Sequence, residues 1–225
     1  MSGWELLDSA RVPGEGGEVR LFKRGREFSL RIDETELMNS LLHASEDALA
    51  DIACGGLADN PSPAVLVGGL GMGYTLASAL KRLGPGAKVT VVELLAVVVA
   101  WNRGPLGHLA GHPLYDGRVT LREGDVAKAL RRECAAYDAV LLDVDNGPQG
   151  LVRGANDWIY SEDGLAAAFK ALMPGGFLAV WSAGPDPAFR MRLCKTGFET
   201  AEHRVRTRAG RRDWHHTVWT GRKHE

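Results

Sequence analysis

The stretch LLDVDNGP, Leu141–Pro148, holds two aspartates two residues apart. On a strand that spacing turns both side chains the same way. An apolar run precedes them and a Gly-Pro stop follows, so they sit at the carboxyl end of a buried strand. A carboxylate there can stabilise a cationic centre in a ligand. It can also take a proton from an attacking nucleophile, a role worth roughly 10²–10⁴ in rate. Asp143 and Asp145 are therefore the candidate catalytic residues. The bland alternative is that one of them caps the loop through the amides of Asn146 and Gly147.

A second chemical signal lies earlier, in AVLVGGLGMGYTLASAL, Ala64–Leu80. Glycine costs conformational entropy and packs nothing, so a cluster of it after an apolar strand suggests that something must approach the backbone. The Walker pattern G-x-x-x-x-G-K-[ST] is absent. The dinucleotide fingerprint G-x-G-x-x-G also fails, because its third glycine would fall on Tyr74 or Leu76. What remains is G-x-G-x-G over Gly69, Gly71 and Gly73, with Gly68 ahead of it. This spacing suits a nucleoside without a pyrophosphate and counts against a nicotinamide dehydrogenase. Glu93 ends the next strand, where a carboxylate can accept both ribose hydroxyls. Gly124-Asp125 ends the one after. Asp125 can take a bond from an adenine amino group or can N-cap the following helix.

The elements that position these residues alternate. Strands are expected at Ala64–Val67, KVTVVEL, RVTLREGD, YDAVLLDVD and FLAVWS. Helices are expected at Tyr74–Leu83, Ala96–Asn102, Val126–Arg132, Gly164–Leu172 and Pro187–Lys195. Such alternation means a doubly wound α/β fold around a mostly parallel sheet, here seven-stranded, Rossmann-like, and finished by a C-terminal antiparallel hairpin. In the usual order 3-2-1-4-5 the glycine strand and the aspartate strand are neighbours across the switch point. A short N-terminal β hairpin is expected over Glu18–Asp33, and helical spacing over Glu36–Cys54. The division expected is residues 1–35 as a small β region and 36–225 as the nucleoside-binding domain.

Composition bounds the partners. With 225 residues and a net charge of −1, the chain can bury a large core, and it lacks the positive excess of a general nucleic-acid or membrane-surface binder. Three widely spaced cysteines fit reduced thiols and a cytoplasmic location. No signal peptide or apolar span is read in the sequence.

Together these pieces resemble the spermidine synthase-like group of the class I S-adenosylmethionine-dependent methyltransferase fold. GGLGMGYTL resembles the family's GGGDGG loop, VVEL supplies the ribose acid Glu93, Gly124-Asp125 matches the adenine-side acid, and DVDNGP falls at the D-x-x-D-P catalytic loop. NDWIYSEDGL…LMPGGFLAVWS is similar to the segment that follows. The resemblance implies a nucleoside sulfonium cofactor bound by Gly68, Gly69, Gly71, Gly73, Glu93, Gly124, Asp125 and Asp143. It also implies a small-molecule acceptor such as an amine, a homodimer, and Asp143 as the group that helps deprotonate the attacking amine.

The chain departs from the pattern in three places. The loop acid is Gly71, the second loop aspartate falls on Asn146, and the Tyr-His-Glu stretch that lines the amine pocket is not found. A buried cation is costly unless paired, and with fewer acids the expectation is intact S-adenosylmethionine and methyl transfer. The alternatives are aminopropyl transfer from decarboxylated S-adenosylmethionine and a non-catalytic nucleoside-binding relative.

Other residues are weaker candidates. His43 lies on the helix covering the cofactor mouth, and Tyr160 and Asn146 could flank the acceptor. Trp181 reads as pocket wall or core. The arginine-rich C-terminal hairpin reads mainly as a solvated edge. His215 and His216 are adjacent on a strand, point to opposite faces and would not chelate a metal together.

Overall fold

In the computed structural model, residues 3–13, 17–144, 147–149, 157–207 and 214–224 are described. Four antiparallel strands come first, β1 (Glu5–Arg11), β2 (Glu18–Arg24), β3 (Glu27–Ile32) and β4 (Thr35–Asn39), paired in chain order. The expected hairpin is thus the centre of a four-stranded sheet.

The rest is the doubly wound domain. Its strands are β5 (Ala64–Gly68), β6 (Lys88–Glu93), β7 (Val119–Glu123), β8 (Tyr137–Leu142), β9 (Leu172–Ser182), β10 (Glu199–Thr207) and β11 (Trp214–Arg222). Its helices are α1 (Ala44–Cys54), α2 (Tyr74–Arg82), α3 (Ala96–Arg103), α4 (Val126–Arg132), α5 (Glu162–Ala171) and α6 (Pro187–Thr196). The strand order is β10-β11-β9-β8-β5-β6-β7. β5 through β9 run parallel, and the β10–β11 hairpin joins antiparallel through β11. β5 and β8 are buried almost throughout, as expected of parallel strands covered on both faces.

Apolar side chains fill both faces. One layer joins the sheet to α1, α2, α3 and the N-terminal strands, with Leu49, Leu76, Val99, Val19 and Leu21 at its centre. The other joins it to α4, α5 and α6 through Leu130, Leu165 and Phe189. The N-terminal sheet is also tied down by a polar contact, Trp101 Nε1 donating to Asp8 Oδ2 at 2.8 Å. No helix among the described residues is long and apolar enough to cross a membrane.

One expected element is corrected. The helical spacing over Glu36–Cys54 spans a strand, a turn and a shorter helix. Leu37 lies in β4, whose Met38 pairs with Leu30. Asn39 Oδ1 then accepts from the amides of Leu41 and Leu42, turning the chain before α1 begins. Apolar residues four apart served a strand face and then a helix face, and the asparagine that separates them is a local turn former.

The start of β5 hangs on one side chain. Asp138 in β8 accepts from the Ala64 amide at 2.7 Å and from Asn60 Nδ2 at 3.1 Å. Asp138→Ala orphans both donors and should cost about 1–3 kcal/mol. Urea unfolding checks this: the midpoint should fall with an unchanged slope.

Candidate active site

The carboxyl ends of β5, β6, β7 and β8 are stitched together by backbone. The Asp143 amide donates to Gly68 O at 2.9 Å, Gly69 to Val92 O at 2.9 Å, and Gly124 to Glu93 O at 2.8 Å. Glycine is demanded most strongly at position 69. There φ is +88° and an added Cβ would lie 2.2 Å from the carbonyl oxygen of Asp143. At Gly71, also in the left-handed region at φ +52°, an added Cβ would meet Met38 Sδ at 2.8 Å. Part of the glycine signal therefore reflects the protein's own close packing. Gly68 is enclosed by Val126 and Leu142, and Gly73 is the N-cap of α2. Asn102 Nδ2 fixes the loop by donating to Gly71 O at 2.8 Å.

Glu93 is 7% exposed. Its Oε2 accepts from the Leu70 amide and its Oε1 from the Leu95 amide, both at 2.8 Å. Burial raises its pKa, and the amides of Leu95, Leu70, Gly71 and Leu94 oppose that rise. Each oxygen keeps a lone pair for a further donor. Asp125 Oδ1 accepts from the Ala127 amide at 2.8 Å and caps α4, so the capping alternative is observed. Its other oxygen has the capacity to accept as well.

Asp143 follows β8 beside the glycine loop. Thr75, in the first turn of α2, donates from Oγ1 to Asp143 Oδ2 at 2.5 Å. Burial pushes Asp143 up to about 6, and the Thr75 hydroxyl restrains the rise. A second acid approaches from α1: Glu46, 6% exposed. Burial first, and then the charge of Asp143, push it up to about 8. Ser45 Oγ donates to Glu46 Oε2 at 2.6 Å.

Glu46 and Thr75 are the residues that sequence reasoning missed. The one available signal for Glu46 was an acid in the first turn of a helix, which usually serves the helix dipole. The reach from α1 to β8 is a tertiary fact.

The remaining candidates are placed as follows. His43 is the N-cap residue of α1 rather than within the helix. Its ring stacks on Tyr74 at 4.1 Å and its Nδ1 lies 2.8 Å from Asp47 Oδ2. Tyr160 is buried and donates from its hydroxyl to Val144 O at 2.9 Å, anchoring the chain just after Asp143. Trp181 is buried at the end of β9 with its indole N–H unpaired among the described residues. Asp145 and Asn146 lie outside the described residues.

The structure therefore brings together the glycine loop, Glu93 and Asp143 as expected, and adds Glu46. Two carboxyls whose charged forms burial disfavours are a poor site for an anion and a better one for a cation, which would favour their charged forms. The raised pKa of Glu46 has a sign. Folded Glu46 binds its proton more tightly than the unfolded chain, so stability falls as pH rises from the ordinary carboxyl value of 4.5 toward about 8. Glu46→Gln removes that penalty, on the order of a few kcal/mol at most. Thermal unfolding should show the variant gaining on the wild type at about pH 8 and not at about pH 5; parallel curves would mean that Glu46 carries no such proton.

Comparison with known proteins bears on the same region. No family model matches the chain. A polyamine aminopropyltransferase of Korarchaeum cryptofilum is 29% identical over 126 residues, 56% of this chain and 37% of that relative. Solved structures align over nearly all of it. A spermidine synthase in complex with the transition-state analogue AdoDATO and the spermidine synthase of Thermotoga maritima each superpose with a TM-score of 0.74 at 17% identity, covering 97% of this chain and 72% of theirs. A probable spermidine synthase of Corynebacterium glutamicum gives 0.64 at 16% identity, covering 99% and 81%. The chain thus has the spermidine synthase form of the class I S-adenosylmethionine-dependent methyltransferase fold.

Proposed function

We propose that the protein is a group transferase that moves an aminopropyl group from decarboxylated S-adenosylmethionine to a cationic amine. The observation that carries this reading is Asp143, held by Thr75 against the glycine loop, with a second acid, the buried Glu46 of α1, near enough to feel its charge. The expectation of methyl transfer rested on a shortage of acids for a doubly cationic site. Glu46 supplies one that the sequence pattern hid. The names of the relative and of the structural neighbours support the aminopropyl alternative over methyl transfer.

The residues fit the donor in chemical kind. Glu93 would accept its ribose hydroxyls, the backbone at Gly69–Gly73 would pass along it, Asp125 would face the base, and the acid pair would lie toward its cationic end. When bound, the donor supplies a sulfonium-activated carbon. Asp143 takes the proton that the acceptor ammonium must lose before its nitrogen can attack. Thr75 keeps the receiving oxygen in place. Glu46, neutral without ligand, ionises when a second ammonium arrives and holds the amine in line. Orientation of this kind is worth roughly 7–11 kcal/mol. Tyr160, through Val144, keeps the segment after Asp143 from drifting. Asp145 and Asn146 belong to the same proposal as loop residues next to the acceptor. Residues 1–35 and 36–225 are proposed to act as a β cover and a nucleoside-binding body, with a homodimer and a cytoplasmic setting as part of the same reading.

Two measurements test this. Calorimetric titration should show decarboxylated S-adenosylmethionine binding more tightly than the intact form; the reverse order returns the reading to methyl transfer. Asp143→Asn should lower turnover with a diamine acceptor by roughly 10²-fold or more, a larger loss than its loss of donor affinity. An equal loss in both would remove Asp143 from the proton-accepting role.

A further inference from the structure

Glu46 is connected toward the edge of the fold by a chain of polar atoms that the proposed chemistry does not yet use. Glu46 Oε2 receives the Ser45 hydroxyl at 2.6 Å, and Ser45 Oγ lies 2.9 Å from Nδ1 of His216. His216 comes from β11, far away in sequence, and packs edge-on against Trp181 with ring centroids 4.7 Å apart. Opposite it on β10 stands Val205. Ser45 and Glu46 are buried, whereas His216 is half-buried. The order along the chain is therefore interior carboxyl, interior hydroxyl, ring at the edge.

We infer that Glu46, Ser45 and His216 form a proton exit that carries to solvent the proton released when an amine is alkylated at the acid pair. This rests on the proposed transferase reading. Transfer from a sulfonium to a primary ammonium forms one C–N bond and breaks one C–S bond, whose electron pair stays on sulfur. The product amine remains protonated once, so one proton per turnover must leave the site. It passes first to the Asp143–Glu46 pair. With Glu46 protonated, its O–H donates to Ser45 Oγ, and the Ser45 hydroxyl turns to donate to His216 Nδ1. Movement of the proton along these two bonds leaves Glu46 as carboxylate and His216 as imidazolium, which returns the proton to water. The hydroxyl can serve both directions because it donates and accepts. Burial lowers the ring's pKa, so His216 is neutral when it receives the proton and releases it readily.

The test uses full-length protein with decarboxylated S-adenosylmethionine and putrescine, reading thioether release, together with ¹⁵N spectra of histidine-labelled protein. His216→Ala should lower kcat about tenfold or more, leave KM for putrescine within about twofold, and recover activity when imidazole is added. His216→Gln keeps a hydrogen bond to Ser45 yet accepts no proton, so it should lose kcat to the same extent; this variant serves if the alanine protein fails to fold. Ser45→Ala should shift the Nδ1 resonance of His216. Absence of transfer by the wild type overturns the functional reading. Transfer by the wild type with an unmoved Nδ1 resonance, with full activity in His216→Gln, or without imidazole rescue, overturns the proton exit alone.

Discussion

The close approach of Gly69 to the Asp143 carbonyl is the constraint on which the rest of the site depends. It lets the ends of two neighbouring parallel strands converge until the loop after β5 and the acid after β8 share one space. A side chain at position 69 would separate them, and the hydrogen bond from Thr75 to Asp143 would be stretched with them. The apolar layers above and below serve this convergence by keeping β5 and β8 rigid and dry. The same dryness gives the carboxyls their altered proton affinity, since a low-polarity surround penalises their charged forms.

Electrostatically the site is built to be incomplete. Glu93 is partly compensated by backbone amides, which oppose the rise in pKa that burial imposes. Glu46 and Asp143 have hydroxyls but no cation beside them among the interactions described; burial disfavours the charged form of both, and the charge of Asp143 adds to Glu46's reluctance to ionise. Adding positive charge relieves both at once, so protonation and ligand binding compete for the same pair. That competition is what the proposed amine chemistry would draw on.

Much of this was legible in the sequence because its signals are local. The glycine spacing, Glu93 at a strand end, the Asp125 cap and Asp143 before a Gly-Pro stop each announce themselves within a few residues. Strand order followed from the alternation of strands and helices and the usual order of a doubly wound sheet. What stayed hidden depends on tertiary meetings. Glu46 meets Asp143 only because α1 packs across the sheet, and Ser45 meets His216 across most of the chain length. The start of α1 was misplaced because apolar spacing in Leu37 and Leu41 is the same whether a strand edge or a helix presents it. The sheet grew from a hairpin to four strands because β1 is largely exposed and β4 is short, and so both carry weak alternation.

Met38 has its sulfur where a side chain at position 71 would begin. The last strand of the N-terminal sheet and the glycine loop are therefore fitted against each other. A chain that placed an acid at 71 would hold a strained backbone at φ +52° and would have to turn the Met38 thioether aside. The N-terminal sheet thus limits the vocabulary of the loop beneath it.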